Sequence, residues 1–173
     1  QGLIRDEDRL RNNGEGPWDQ EVHELGLNYR LPDILAALGS SQLRRLEQFK
    51  RRRNEIKARY DNAFGSTDLP LETPHQDSHV SPVWHLYPLR IPAEIRRDVF
   101  QQLRAAGIQV QVNYIPVYWH PVFYERGFRR GLCPVAEEFY AREISLPIHS
   151  RLTDEQVDLV IDTVVKNVAA ALN

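Results

Sequence analysis

From Leu31 to Phe64 the chain places apolar residues at Leu31, Leu35, Leu38, Leu46, Phe49, Ile56, Tyr60 and Phe64, close to the helical period of about 3.6 residues. That spacing predicts one long helix with an apolar stripe along one side. Pro32 sits where a first-turn proline is tolerated, and Gly65-Ser66 ends the run. Gly39 falls inside it, where glycine costs about 1 kcal/mol against alanine. Close approach of another backbone is the expected compensation. A tight polar turn, Gly26-Leu27-Asn28-Tyr29-Arg30, feeds the helix and puts one amide and one guanidinium at its N-terminal end. That end favours anions, and Asn and Arg side chains both donate to phosphate or carboxylate oxygens. Two readings stand for the pair. Either Asn28 and Arg30 form part of an anion site, or Asn28 shapes the turn and Arg30 makes a surface ion pair.

Between Arg44 and Arg59 the helix carries eight basic residues and two acidic ones. The run reads as a solvated face above the apolar stripe. A nucleic-acid surface needs more stacking rings than Phe49, which itself falls on the stripe. The chain's formal net charge is −2, which gives no bulk attraction to nucleic acid or to a membrane surface. No apolar run approaches the roughly 18 residues of a membrane helix, and no signal-peptide pattern is present. Cys133 stands alone, which excludes an intrachain disulfide and a cysteine-rich metal site and fits a reducing cytoplasm. Methionine is absent, and the expectation is that the chain begins inside a longer protein.

Residues 1–25 are polar, with a turn at Gly14-Glu15-Gly16-Pro17, and read as the trailing edge of a preceding domain. Residues 65–83 hold Pro70, Pro74 and Pro82 and read as a loop or linker. His75 and His79 are four apart there, but outside a helix that spacing does not converge on a metal. From residue 84 the pattern predicts a strand (84–91), a helix (93–106) stopped by Gly107, and an alternating strand (108–114). A short helix (135–142) and a strand (143–148) follow. Thr153, with Gln156 three residues on, predicts a capping box for a last helix with Val157, Val160, Ile161, Val164, Val165, Val168 and Leu172 on its buried side. Three strands with helices over one face make a small α+β domain.

The segment Asn113–Tyr124 packs five aromatic residues, His120 and two prolines into twelve residues. Tyr and Trp offer apolar rings with a polar handle, which suits ring-shaped ligands. The alternative is a loop that plugs the core. In Trp84-His85-Leu86-Tyr87 a strand would point His85 and Tyr87 to one face, where they either line a pocket or include a core histidine satisfied by backbone. Glu137-Glu138 reads as solvated. No Ser-His-Asp order, phosphate-cradling Gly-rich loop or close carboxylate pair stands out. Taken alone, the residues define the lining of a small-molecule site, anion-seeking at one end, and no reaction.

Gly26 to Leu43 resembles the G-x-N-Y-R…A-A-L-G-x-x-Q-L signature of the pyridoxal-phosphate-dependent sugar aminotransferases of the DegT/DnrJ/EryC1/StrS family. Other pieces agree in order: Arg53, Tyr60, Trp84-His85-Leu86-Tyr87-Pro88, Gly107 to Tyr114, Pro116-Val117-Tyr118, and Ala136-Glu137 leading to Ile144-Ser145-Leu146-Pro147-Ile148. The resemblance covers essentially the whole chain. It implies the small-domain side of a fold type I enzyme: residues 1–30 ending the large cofactor-binding domain, 31–65 a long connecting helix, and 66–173 the C-terminal small domain. It implies an active site at a homodimer interface, with Asn28 reaching the cofactor phosphate of the other subunit. Arg30, His85, Tyr114 and Tyr118 would lie near a nucleotide-linked keto sugar. Asn113 departs from the His often found before this Tyr. The family's Schiff-base lysine lies upstream of the N-x-R motif, and Lys50, Lys57 and Lys166 do not match it. No catalytic residue is therefore expected in this chain, which alone should be inactive. The implied reaction is amination of the 4-keto carbon of a nucleotide-linked 6-deoxy sugar, with glutamate as amino donor. Two alternatives remain at this level: a stand-alone binding or dimerisation module, and a fragment of a dehydratase on the same scaffold.

Overall fold

The computed structural model describes residues 31–172 and divides the chain into two compact units, Gln1–Arg44 and Arg45–Asn173. The first unit contributes one described helix, α1 (Asp33–Leu43). Pro32 precedes it with extended backbone, and the Asp33 carboxylate sits in the first turn, where the helix dipole favours it. No residue of α1 is buried. A Cβ added at Gly39 would meet nothing within 4 Å, so the close backbone approach expected there is not made among the described residues.

The second unit starts with α2 (Leu46–Gly65). The long helix predicted from Leu31 to Phe64 is thus two helices, because Arg45 opens to φ −100°, ψ 0° and interrupts the ladder. Propensity does not dictate the break, since Gln, Leu and Arg are all good helix formers. Propensity also does not prevent it. A helix persists mainly through its packed face, and that face begins at Ile56.

The elements after α2 are β1 (Tyr87–Arg90), α3 (Ala93–Ala105), a 3₁₀ turn (Val117–Trp119), α4 (Pro121–Tyr124), α5 (Pro134–Arg142), β2 (Glu143–Leu146) and α6 (Asp154–Ala171). α3 ends as its sequence predicts. Gly107 adopts φ +82°, its N–H donates to Arg104 O at 3.1 Å, and the Ile108 N–H donates to Leu103 O at 3.0 Å. This is a Schellman closure, with Ile108 and Leu103 both buried beside it. The capping box at Thr153 also forms: its hydroxyl accepts from the Gln156 N–H at 3.2 Å, and its own N–H donates to Gln156 Oε1 at 3.0 Å.

β1 and β2 pair antiparallel, Tyr87 opposite Leu146 and Leu89 opposite Ile144. Among the described residues the predicted three-stranded sheet is not formed, and the sheet has two strands. The alternating segment after Gly107 makes a single bridge, Gln111 with Ser145, on the free edge of β2. Two residues on, the Asn113 amide donates to the Glu143 side chain rather than to a main-chain carbonyl, and the ladder stops there. On the other edge, Glu72 bridges Arg90. The β1 prediction was also too long, since residues 84–86 lie outside the strand.

Tyr87, Leu89, Ile144 and Leu146 form one core face of the sheet together with Ile91, Ile108 and Val110. Ile56, Tyr60 and Phe64 of α2, Ile95, Val99 and Leu103 of α3, and Val157, Val160, Val164 and Val168 of α6 complete the core. Ile161 and Val165 are partly buried at its margin, whereas Leu172 is exposed. Tyr60 meets the Tyr87 ring edge-on at 4.9 Å, and its hydroxyl donates to Pro147 O at 2.9 Å, so a buried phenol is fully satisfied.

Candidate functional site

Four basic residues of α2 are engaged inside the chain rather than left to solvent. The Arg52 guanidinium donates to Leu152 O and to Asp154 Oδ1, each at 2.7 Å, and Arg59 also pairs with Asp154 and Asp158. Arg53 donates to the Trp84 carbonyl. Lys57 lies 4.9 Å from the Trp84 ring centroid and pairs with Asp61, whose other oxygen accepts from the Tyr87 hydroxyl at 2.8 Å. The Trp84–Tyr87 segment is therefore fixed to α2 at three points. This overturns the shared face predicted for His85 and Tyr87. Tyr87 is wholly buried, while His85 occupies a bend before the strand and is exposed, because the period-2 alternation of a strand has not yet begun at residue 85.

The first part of the aromatic segment, residues 113–119, is held at both ends by carboxylates from one continuous stretch, α5 running into β2. At its start, Glu143 Oε2 accepts from the Asn113 N–H at 2.8 Å, and Oε1 accepts from the Ser145 hydroxyl. Glu143 has no exposed surface, and burial raises its carboxyl pKa above the ordinary value against the opposing pull of these two donors. Farther along, Glu137 Oε1 accepts from the Tyr118 hydroxyl, the Gly131 N–H at 2.6 Å and Trp119 Nε1 at 3.4 Å. The Tyr118 hydroxyl, ahead of the Gly131 amide, holds the Glu137 carboxyl below its ordinary pKa. Burial, followed by the Glu137 carboxylate, pushes Tyr118 upward. Glu137 is thus a junction of three chain segments and not the solvated side chain predicted; Glu138 pairs with Arg142 at the surface.

Between these two clamps the chain exposes Tyr114, Ile115 and Val117 and buries Pro116. Tyr114 is 71% exposed and Val117 is 62% exposed, whereas Tyr118 is 9% exposed. Arg130 caps the Trp119 ring at 4.1 Å, and Tyr140 meets that ring edge-on at 5.4 Å. An open groove of about 480 Å³, lined by Arg96, Arg97, Phe100, Gln101 and Val112, adjoins the start of the segment. Among the described residues no hydrogen bond or ring contact joins His85 to Tyr114 or Tyr118. The structure brings Tyr114 and Tyr118 onto one clamped loop. Asn28 and Arg30 lie outside the described residues.

The three lysines do not make a Schiff-base site. Lys57 is paired with Asp61 over Trp84, Lys50 lines an open groove on α2, and Lys166 is exposed on α6. A Schiff-base lysine works from a buried, desolvated position, so the described residues do not fit the covalent site of pyridoxal phosphate. Among the described residues no group of three His, Cys, Asp or Glu side chains is placed to hold a metal, and no helix is long and apolar enough to cross a membrane.

Glu137 and Glu143 were missed as determinants by residue-level reasoning. A signal existed for Glu143, an acid inside the otherwise apolar run Glu143–Ile148. Glu137 had none beyond its place in a recurring motif.

The described residues after Arg45 form a small α+β body that presents a clamped aromatic loop. The model of the DegT/DnrJ/EryC1/StrS aminotransferase family matches residues 2–165, and the chain belongs to that family. It is 39% identical, over 97% of its length, to an uncharacterized protein of Methanocaldococcus jannaschii, covering 44% of that protein. It is 34% identical, over 84% of its length, to UDP-4-amino-4,6-dideoxy-N-acetyl-beta-L-altrosamine transaminase of Campylobacter jejuni, covering 39% of it. Among solved structures, Spr1654 of Streptococcus pneumoniae in its PMP form superposes with a TM-score of 0.82 at 30% identity, over 98% of this chain and 43% of its own; a PLP form is also solved. The chain spans less than half the length of the relatives it matches.

Proposed function

We propose that this chain is the small-domain side of a pyridoxal-phosphate-dependent aminotransferase that aminates the 4-keto carbon of a nucleotide-linked 6-deoxy sugar, with glutamate as amino donor. The observation that carries this reading is the loop clamped by Glu143 and Glu137, which holds Tyr114 out to solvent in a member of this family. The relative that acts as an altrosamine transaminase supports a UDP-linked sugar, and the run Val110–Tyr118 most resembles that subfamily.

In this reading, residues 1–30 end the large domain, 31–65 connect the two domains, and 66–173 form the small domain. Asn28 donates to the cofactor phosphate of the partner subunit in a homodimer. Arg30, His85, Tyr114 and Tyr118 lie on the nucleotide-sugar side. The carbonyl chemistry belongs to groups outside the described residues, so the contribution of this part is to orient the sugar and exclude water. The assembled enzyme works in the cytoplasm, which fits a lone exposed Cys133.

Two measurements test the reading. The isolated chain, treated with pyridoxal phosphate and borohydride, is expected to show no stoichiometric labelling of any lysine. A protein that joins this chain to the family's large domain is expected to convert a UDP-4-keto-6-deoxy sugar and glutamate into the amino sugar. Labelling of Lys50, Lys57 or Lys166 would overturn the division of labour. Tight binding of UDP-sugars by the isolated chain would favour a stand-alone module. Loss of a sugar oxygen without gain of nitrogen would identify a dehydratase.

A further inference from the structure

We propose that Glu137 is a positioning residue: acting through Tyr118, it latches the aromatic loop so that Tyr114 is the ring presented to a ligand, and Tyr118 is the anchor. The class of ligand, a nucleotide-linked sugar, rests on the reading above; the latch does not.

Tyr118 is nearly buried, and its hydroxyl is used within the chain in both directions. It donates to Glu137 Oε1 and accepts from the Cys133 N–H at 3.2 Å. A phenol has one hydrogen to give, so a ligand that contacts Tyr118 has to displace Glu137. Tyr114 lies four residues earlier, is exposed, and makes no such bond among the described residues. The latch joins three segments through one carboxylate oxygen: the 3₁₀ turn at Val117–Trp119, the turn at Gly131, and α5, which carries Glu137 itself. Gly131 reaches Glu137 with φ +90°, a conformation that side chains rarely adopt. Glu143 fixes the other end of the same loop at Asn113. The exposed residues Tyr114, Ile115 and Val117 therefore lie between two fixed points, and their conformational freedom is reduced before any ligand arrives.

Amide hydrogen exchange in this chain tests the latch. In Glu137→Ala the Gly131 amide, which loses its carboxylate acceptor, and the Cys133 amide, whose Tyr118 acceptor is released, are expected to exchange about tenfold faster or more. The β2 amides and those of mid-α6 should keep their wild-type rates. Tyr118→Phe is expected to speed the Cys133 amide alike, while Glu137→Gln, which keeps a carbonyl acceptor, should restore both. Unchanged exchange at Gly131 and Cys133 in Glu137→Ala would overturn the proposal, as would an equal rise throughout the chain. Titration with millimolar UDP-N-acetylglucosamine, followed by NMR, addresses the ligand. Shifts at Tyr114 should appear in wild type and Glu137→Gln and weaken in Glu137→Ala. Tyr118→Phe that loses ligand with unchanged exchange would make Tyr118 the contact and overturn the assignment. No shift anywhere in wild type counts against the sugar reading and not against the latch, which exchange decides.

Discussion

The Tyr87 hydroxyl donates to Asp61 at 2.8 Å, joining the first strand to the helix that precedes it by some twenty residues of loop. Lys57 holds the other oxygen of the same carboxylate, so strand, aspartate and lysine form one chain of bonds beneath Trp84. Burial, with the Asp61 carboxylate beside it, drives Tyr87 above the ordinary tyrosine pKa, which favours the neutral phenol that donates.

Tyr87→Phe removes that donor and leaves the ring contacts with Tyr60 and Phe64 in place. The expected cost is about 1.5–3 kcal/mol, a hydrogen bond to a charged acceptor. A lowered urea midpoint with an unchanged slope is the predicted result. An unchanged midpoint would show that the bond adds nothing net.

Gly107 and Gly39 should respond to alanine with opposite signs. A Cβ meets nothing within 4 Å at either position, so contacts do not decide the outcome. Gly107 has φ +82°, where an L residue costs about 1–2 kcal/mol, and Gly107→Ala should destabilise by that amount. Gly39 lies inside α1, where alanine is better by about 1 kcal/mol, so Gly39→Ala should raise the helical signal of the isolated chain. Circular dichroism and thermal unfolding of the two variants check both signs.

Two acids should shape the pH dependence in opposite ways. The Arg52 hydrogen bond, with Arg59 nearby, lowers Asp154 below its ordinary 3.8. The stability this contributes is present above pH 3.8 and is lost as pH falls through the lower folded value. Burial raises Glu143 above its ordinary 4.5, so its contribution is present below pH 4.5 and is lost as pH rises through the higher folded value. Asp154→Asn should flatten the acid limb, and Glu143→Gln should flatten the decline above pH 4.5. Urea midpoints measured from pH 3 to pH 8 separate the two.

Thr153→Ala removes the acceptor of the Gln156 amide at the start of α6 and should cost about 0.5–2 kcal/mol. Thr153→Ser, which retains the oxygen, should recover most of it. Equal losses in both variants would assign the effect to the threonine methyl group instead of the cap.

Local rules placed several elements correctly because their causes are local. A glycine needed at positive φ stops α3, the Thr153–Gln156 pair starts α6, and the valines of α6 repeat at helical spacing. The same rules failed at Arg45 and at Gln111–Asn113. In both places a favourable pattern continued and nothing nearby in the sequence marked its end.

The candidate site divides in the same way. Its aromatic content was legible in Asn113–Tyr124, and the family was legible in motifs spread along the chain. The different fates of Tyr114 and Tyr118 were not, because they depend on Glu137, nineteen positions further along the chain from Tyr118. The burial of Tyr87 beside an exposed His85 likewise depends on Asp61, in another element.

The sequence by itself determined the helical periods, the glycine stop, the cap and the family, since each is written in neighbouring residues or in recurring motifs. The tertiary structure alone decided where the long helix breaks, how many strands pair, and which tyrosine stays exposed. Those outcomes turn on burial and on hydrogen-bond partners contributed by distant segments, and no local rule carries that information.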